Sequence, residues 1–250
     1  MKNYLLTVSY CGAAYSGWQT QKNAVTVQQT LENALAKLTG REISVTASGR
    51  TDEGVHALGQ VVSFSCDTSV PAEKFAAALN TFLPPDIRAV NCREVPEGFC
   101  ARRSAKRKTY VYRMYLSDRE LPHADGFALR LESPLDTELL QKACKLVEGT
   151  HDFVAFRCVG SSAVTTVRTV YSCSIARYPA AGIMPETYEL TVCGNGFLYK
   201  TVRLVTGALL ALNCGKITLA DFASALGGNE NAIRKVPAPS KGLTLLKVEY

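Results

Sequence analysis

The chain has 250 residues, of which 47% are hydrophobic and 20% are charged, and its formal net charge is +6. A chain of this length forms one large domain or two halves, and this composition is typical of a globular protein in water. It contains no apolar run of about 18 residues, which argues against a membrane-spanning helix. Its nine cysteines, without a secretory leader or a C-x-x-C pair, favour a reducing, cytoplasmic location, and its three scattered histidines argue against a metal site.

The first half of the chain alternates between predicted strands and helices. Strands are predicted at residues 4–10, 43–46, 60–64 and 88–95, and helices at 27–39 and 72–82. The first helix has the clearest boundaries, because Thr26 and Gln29 have the spacing of a capping box and Gly40 follows the last apolar residue. Its apolar stripe consists of Val27, Leu31, Leu35 and Leu38.

The second half has a similar mixture of elements. Strands are predicted at residues 110–115, 166–176, 188–192 and 243–250, and helices at 137–148 and 197–212, with a shorter helix that begins after Thr218. The two halves therefore predict an α+β fold of two related α/β halves, residues 1–104 and 105–250. We expect them to share a continuous mixed sheet with a central cleft.

A glycine-bracketed polar loop separates two strands of the first half: Ala47-Ser48-Gly49-Arg50-Thr51-Asp52-Glu53-Gly54-Val55-His56-Ala57. It places a carboxylate, a guanidinium and an imidazole in one turn at the edge of a sheet, which is typical of a functional site. Gly49 and Gly54 permit left-handed backbone angles or the close approach of a ligand. A turn that Asp52 only caps is the alternative, and the residues alone leave both interpretations open.

A basic segment extends from Ala101 to Arg113 and contains no acidic residue. A concentration of positive charge of this kind is typical of a surface that binds phosphates. The cations are Arg102, Arg103, Lys106, Arg107, Lys108 and Arg113.

Motifs along nearly the whole chain occur in the order and spacing of one family. They are Tyr10-Cys11-Gly12 with Tyr15-Ser16-Gly17-Trp18-Gln19, Thr26-Val27-Gln28 with Leu31-Glu32, the polar loop Ser48 to Ala57, Phe99 to Ala105 with Arg107 and Tyr110, Gly196-Phe197-Leu198-Tyr199 with Val202-Arg203, and Pro237-Ala238-Pro239 with Gly242-Leu243. Together these segments resemble the tRNA pseudouridine synthases of the TruA type.

The resemblance implies a pseudouridine synthase fold and a homodimeric isomerase that converts uridines 38 to 40 in the anticodon arm of tRNA to pseudouridine, without a cofactor. It implies Asp52 as the nucleophile and Arg203 as its ionic partner. It also implies three substrate-binding residues: Arg50, which assists extrusion of the target uridine, Tyr110, which stacks on the base, and Leu245. The implied RNA-binding residues are Phe99, Cys100, Ala101, Arg102, Arg103, Lys106 and Arg107.

Four residues depart from the family pattern. They are Cys100, usually histidine; Arg103, usually an aromatic residue; Thr201, usually methionine; and Thr244, usually an aromatic residue. None of them is an implied catalytic residue, so the departures concern RNA contact and not the chemistry.

The reaction explains why these residue types are needed. Isomerisation breaks the bond from N1 to C1′, turns the base and rejoins it through C5, so it needs no redox group. One carboxylate can attack C6 of the ring or C1′ of the ribose, and the sequence does not choose between them. Because burial raises the pKa of a carboxylic acid, a guanidinium such as that of Arg203 is the expected counter-ion. The target base must leave the stack, and Tyr110 offers a stacking face worth roughly 1–3 kcal/mol.

Several residues also have a structural interpretation. Arg203 could be a surface arginine beside an apolar helix. For Tyr112 we favour a place in the core. For His56 we favour donation of a hydrogen bond to the loop backbone over acid–base work.

A non-catalytic RNA-binding module and a hydrolase are the alternatives to a synthase. A non-catalytic RNA-binding module would explain the basic segment but not the polar loop. A hydrolase is disfavoured because the chain has no G-x-S-x-G or Walker A motif, and Gly194-Asn195-Gly196 lacks the third glycine of a dinucleotide fingerprint. His151-Asp152 is reminiscent of metal-dependent phosphohydrolases, but three scattered histidines are too few for their metal centre.

Overall fold

The structure is a computed structural model that describes residues 1–158, 160 and 165–250. Its strands are β1 (Lys2–Tyr10), β2 (Thr46–Ala47), β3 (His56–Cys66), β4 (Ile87–Val95), β5 (Arg107–Leu116), β6 (Leu129–Leu131), β7 (Gly149–Asp152), β8 (Val167–Tyr178), β9 (Thr187–Gly194) and β10 (Leu243–Glu249). Its helices are α1 (Val27–Thr39), α2 (Ala72–Leu79), α3 (Ala101–Ser104), α4 (Pro122–Asp125), α5 (Thr137–Val147), α6 (Thr201–Asn213) and α7 (Leu219–Leu226). This mixture of sheet and helix confirms the α+β class.

The chain divides into two compact units, and the first comprises Met1–Lys106 and Thr244–Tyr250. Its strands have the order β4–β1–β3–β10, in which β1 is antiparallel to both neighbours and β10 is parallel to β3. The two-residue strand β2 pairs with β3 in the antiparallel sense. Tyr4, Phe64 and Phe75 pack their rings in the core with centroids 5.6 to 5.7 Å apart, which fixes β1 and β3 against α2.

The second unit comprises Arg107–Leu243. Its strands have the order β5–β9–β8–β7 with antiparallel neighbours, and β6 runs parallel to β5. Phe153, Phe156 and Phe222 are almost fully buried and pack edge to face, which joins α7 to the 3-10 turn Phe153–Phe156. The functional halves expected at residues 1–104 and 105–250 stay a prediction.

Helix α1 has the predicted bounds, because both of its ends are capped. The hydroxyl of Thr26 accepts a hydrogen bond from the Gln29 N–H at 3.4 Å, and Gly40 leaves the helix with a left-handed φ of 71°. Helix α7 begins with a complete capping box between Thr218 and Asp221, as their spacing indicates.

Several predicted boundaries differ from the structure. Helix α6 begins at Thr201 rather than at 197, because Lys200 has a left-handed φ of 63° that no α-helix continues through. Helix α2 ends at Leu79 rather than at 82, and the side chain of Asn80 instead bonds the backbone of Ala89 at 2.8 and 2.9 Å. The strand expected at 43–46 is reduced to β2, whereas β3 begins earlier than expected, at His56.

Within the described ranges, no helix is long and apolar enough to cross a membrane. The same residues include no group of three or more His, Cys, Asp or Glu side chains placed to hold a metal ion.

Candidate active site and RNA interface

The polar loop lies in the first unit between β2 and β3. A backbone hydrogen bond from the Val55 N–H to the Asp52 carbonyl, at 3.1 Å, closes its turn. Gly54 has a left-handed φ of 74°, as predicted, but Gly49 does not, so only Gly54 makes the turn. Within this turn the Asp52 side chain is half-buried and the Arg50 side chain is exposed.

A second loop, residues 11–18, packs directly against the polar loop. The Trp18 N–H donates to the Thr51 carbonyl at 3.0 Å, and the Gly54 N–H donates to the Tyr15 carbonyl at 3.4 Å. Gly17 has a φ of 86°, and a Cβ at this position would lie 2.8 Å from the Thr51 carbonyl oxygen. The two chain segments therefore approach more closely than any side chain at Gly17 would permit.

Gly12 makes a second close approach on the other side of the turn. A Cβ on Gly12 would lie 2.1 Å from the carbonyl oxygen of Val55, which is far inside contact distance. The Gly12 N–H also donates to Nδ1 of His56 at 3.1 Å. Nδ1 is therefore the unprotonated ring nitrogen, and a neutral His56 carries its hydrogen on Nε2. The ring of His56 thus accepts a backbone hydrogen bond from outside the polar loop, and its expected donation to the loop backbone stays a prediction.

Two buried polar side chains, those of Gln60 and Tyr10, form hydrogen bonds with the loop. Gln60 is fully buried in β3, where its amide accepts from the Ser48 hydroxyl at 2.7 Å and donates to the Gly49 carbonyl at 2.8 Å. The hydroxyl of Tyr10 is 2.8 Å from the hydroxyl of Thr51. Burial raises the pKa of the Tyr10 phenol to about 12, although its hydrogen bonds with Thr51 and Gln60 lower it, so the phenol stays neutral.

Sequence reasoning did not assign site roles to Gly12, Gly17, Tyr10 or Gln60. The signal for Gln60 was a polar residue at the start of an otherwise apolar strand run, Gln60-Val61-Val62. The signal for the two glycines was their place in the motif segments at 10–12 and 15–19. Their contacts with the loop connect residues about 35 to 45 positions apart, so local patterns do not reveal them.

The implied RNA-binding segment also belongs to the first unit up to Lys106. Ala101 is fully buried, its N–H donates to the Ser63 hydroxyl at 3.0 Å, and its carbonyl accepts from the Tyr250 hydroxyl at 3.1 Å. Ala101 is therefore an anchor of α3, and its implied RNA contact stays a prediction. Phe99 packs against the ring of Tyr250 at 5.3 Å. Within the first unit, the exposed members of the segment are Arg102, Arg103 and Lys106.

Cys100 precedes α3 as its N-cap residue. Burial opposes ionisation of its thiol, but hydrogen bonds from the backbone N–H groups of Arg103 and Arg102, together with their positive charges, prevail and lower its pKa. The cysteine that replaces the family's usual histidine therefore lies in a positive environment suited to an anion.

Tyr110 and Arg107 lie in the second unit, on β5. Tyr110 is 8% exposed, and its ring meets that of Phe197 edge to face at 5.4 Å. The guanidinium of Arg107 lies over the ring of Tyr171 at 4.9 Å. Tyr112 is fully buried and donates its hydroxyl hydrogen to the Pro239 carbonyl at 2.8 Å, which confirms its place in the core.

Arg203 is held by the segment that contains the Pro237-Ala238-Pro239 motif. Its Nε donates to the Ala238 carbonyl at 2.7 Å, and the Ala238 N–H donates to the Arg203 carbonyl at 2.9 Å. One helical turn later, a Cβ on Gly207 would lie only 2.0 Å from the Val236 carbonyl oxygen. The hydrogen bond from Nε to a backbone carbonyl therefore anchors the guanidinium, which is not the geometry of a loose surface arginine.

Leu245, the remaining implied substrate contact, is fully buried in β10 of the first unit, and Thr244 is 5% exposed. Their register places Thr244 opposite His56 and Leu245 opposite Ala57 at the start of β3. The structure thus brings Arg50, Asp52, His56 and Leu245 into the first unit and places Tyr110 and Arg203 in the second.

Comparison with known proteins identifies the class. A family model described as tRNA pseudouridine synthase matches residues 6–116 and 143–250, which is most of the chain. The chain belongs to this family, and it is accordingly an isomerase with the pseudouridine synthase fold that acts in tRNA processing.

Curated relatives agree over the full length. The chain is 40% identical over 250 residues to a protein named tRNA pseudouridine synthase A from Thermoanaerobacter sp., and the alignment covers 100% of both chains. Proteins of the same name from Ruminiclostridium cellulolyticum and Acetivibrio thermocellus are each 39% identical, again with 100% of both chains covered. Among solved structures, the alignment with a crystal structure of a Cbf5-Nop10-Gar1 complex covers 81% of this chain and 44% of that chain at 14% identity, with a TM-score of 0.33.

Proposed function

We propose that this chain converts uridines 38 to 40 in the anticodon arm of tRNA to pseudouridine, with Asp52 as the nucleophile. The observation that carries the proposal is the construction of the polar loop. Gly12 and Gly17 lie against the backbone of Val55 and Thr51, and Gln60 donates to the Gly49 carbonyl, so the loop backbone is held on both sides of Asp52 in the sequence. A packing turn has no need of two backbone approaches that exclude every side chain.

The proposed reaction balances without a cofactor. The carboxylate of Asp52 attacks one electrophilic carbon of the target nucleotide, C6 or C1′, and the bond from N1 to C1′ breaks. The base turns while it is held, the bond from C5 to C1′ forms, and the hydrogen of C5 leaves as a proton to solvent. The bond between the carbon and the Asp52 oxygen breaks, and its electron pair returns to the carboxylate. N1 gains a proton, so the product is an isomer of the substrate.

The other implied residues complete the proposal. Arg203 serves as the ionic partner of Asp52, and the anchoring of its guanidinium suits this role. The ring of Tyr110, the side chain of Leu245 and Arg50 receive the extruded base, and Arg102, Arg103, Lys106 and Arg107 bind tRNA phosphates. The working unit is a homodimer in the cytoplasm, because two subunits offer a broader basic surface to a molecule as large as tRNA.

Tritium release tests the activity directly, because the C5 hydrogen leaves only when the base rejoins through C5. tRNA labelled with tritium at uridine C5 is incubated with the wild-type protein, with Asp52→Asn and with Glu53→Gln, and the modified positions are then mapped. Glu53 is the matched control, since it is an exposed carboxylate of the same loop. We expect release by the wild type and by Glu53→Gln, and none by Asp52→Asn, which cannot act as a nucleophile.

Four other results would each contradict one part of the proposal. If Asp52→Asn keeps more than about a tenth of the wild-type rate, Asp52 is not the nucleophile. If the wild type binds tRNA but releases no tritium, the chain is an RNA-binding module. Pseudouridine outside positions 38 to 40 would refute the target site alone, and a monomer in size-exclusion chromatography with light scattering would refute the dimer alone.

A further inference from the structure

A groove crosses one face of the first unit next to α3. Its volume is about 810 Å³, and its floor is rich in small polar side chains: Asn3, Ser44, Thr46, Ser63 and Ser65. Arg102 and Arg103 of α3 also line it, so guanidinium groups meet a floor of hydroxyl groups. We call this feature the hydroxyl groove.

Strand register explains why the polar side chains of the floor lie on one face of the sheet. Asn3 of β1 lies opposite Ser65 of β3, and Thr46 of β2 lies opposite Ser63 of β3. Since Ser63 and Ser65 are two positions apart, the side chains of all four residues stand on the same face of the sheet. The groove is therefore a continuous polar stripe across three strands, in a sheet whose other positions are mostly apolar.

The rim of the groove is fixed to its floor. Ser63 accepts a hydrogen bond from the N–H of Ala101, the first residue of α3, and the Tyr250 hydroxyl donates to the Ala101 carbonyl. These two bonds hold the short helix so that the exposed side chains of Arg102 and Arg103 border the hydroxyl groups. The basic rim and the polar floor thus form one built surface.

The charge of the groove has one sign. Among the described residues that line it, two are arginines and none is acidic. Glu94 of the neighbouring strand β4 is paired with Lys2 at 2.6 Å, so its charge is locally balanced. Such a groove favours a ligand that carries negative charge and also many hydrogen-bonding oxygens.

We propose that the hydroxyl groove binds the sugar–phosphate backbone of the tRNA substrate. The proposal rests on the proposed function, and it extends the RNA contact from the basic segment to the strand residues Thr46 and Ser65. Arginine neutralises phosphate, and the Thr46 hydroxyl can donate to a phosphate oxygen. The Ser65 hydroxyl donates to Oδ1 of Asn3, so its oxygen accepts from a ribose 2′-OH group. These contacts fix the position of the RNA without reading its sequence, so their loss should alter affinity and not the chemical step.

The test introduces a carboxylate at the exposed floor positions. Ser65→Glu and Thr46→Glu should each raise the Kd for tRNA by about fivefold or more in filter binding at moderate salt, because a negative charge then faces phosphate. The rate of tritium release at saturating tRNA should stay at the wild-type value. Ser174→Glu is the matched control, since Ser174 is likewise an exposed serine in a strand, and its Kd should not change.

Two milder substitutions control for the chance that the carboxylate variants misfold. Thr46→Val and Ser65→Ala remove only the hydroxyl groups, and together they should raise the Kd while Thr46→Ser and Ser65→Thr retain affinity. If the carboxylate variants bind tRNA as tightly as Ser174→Glu does, the RNA lies elsewhere and the groove proposal fails, although the isomerase activity of the wild type still stands. If saturating tRNA does not restore their rate, the groove acts on catalysis and the proposal is equally wrong.

Discussion

Substitution of Gly17 by alanine should slow catalysis more than its effect on stability explains. The left-handed φ of 86° costs an alanine roughly 1–2 kcal/mol. The new Cβ would also lie 2.8 Å from the Thr51 carbonyl oxygen, whereas ordinary contact begins at 3.4 Å, so the backbone beside Asp52 must retreat. A displacement of about 0.6 Å should lower kcat by roughly tenfold, because a misplacement of about 1 Å costs about a hundredfold.

Gly40→Ala provides the matched control for the backbone cost. Gly40 has a similar φ of 71°, but an added Cβ there would meet nothing within 4 Å. Both variants should lower the Tm by roughly 2–8 °C, as expected for a destabilisation of about 1–2 kcal/mol in a chain of this size. Single-turnover tritium release at saturating tRNA, measured well below either Tm, separates the effects. Equal rates for Gly17→Ala and Gly40→Ala would refute the idea that this approach positions the polar loop.

Four further changes test the remaining roles. Replacing Arg102 and Arg103 together by alanine should weaken tRNA binding and flatten the plot of log affinity against log salt by roughly 0.7–0.9 for each lost phosphate contact, and an unchanged slope would place the RNA elsewhere. Tyr110→Phe should retain tRNA affinity in filter binding, because the stacking face survives; lost turnover would then assign its hydroxyl to proton transfer, and full turnover would exclude that role. Gly207→Ala should lower turnover at unchanged KM, because its Cβ would strike the Val236 carbonyl oxygen at 2.0 Å and displace the segment that holds Arg203. Arg203→Met should lower turnover at neutral pH and move the acidic limb of the pH–rate profile upward, and a uniform fall with an unmoved limb would argue against a counter-ion role.

Local signals in the sequence predicted those elements whose ends are set by adjacent residues. Both ends of helix α1 were predicted correctly, because the residues that cap it, Thr26 and Gly40, directly adjoin the helix in the sequence. Helix α6 was predicted to begin four residues too early because its apolar pattern continues through Phe197 and Leu198. The left-handed residue Lys200 interrupts the helix, and a lysine gives no sign of such a conformation in a sequence.

The sequence predicts which segments carry the functional side chains, but not the contacts that hold those segments in place. The polar loop and the basic segment were identified from residue type and spacing, because a glycine-bracketed cluster and a run of cations are local features. The contacts that hold the loop come from Gly12, Gly17 and Gln60, which meet it only after the sheet has formed. The hydrogen bond from the Gly12 N–H to His56 was not predicted for the same reason, since the two residues lie 44 positions apart.

The way in which the polar loop is supported also determines what the Asp52→Asn variant can reveal. Its turn is closed by a bond between two backbone groups, the Val55 N–H and the Asp52 carbonyl, and its flanks are held through the backbone of Thr51 and Gly49. None of these bonds uses the Asp52 carboxylate, so an amide of the same shape leaves each of them in place. The variant should therefore keep these backbone bonds and the tRNA affinity of the wild type while it loses turnover. A large fall in Tm would instead indicate that Asp52 is mainly a structural residue of the turn, and the proposed nucleophile would have to be sought elsewhere.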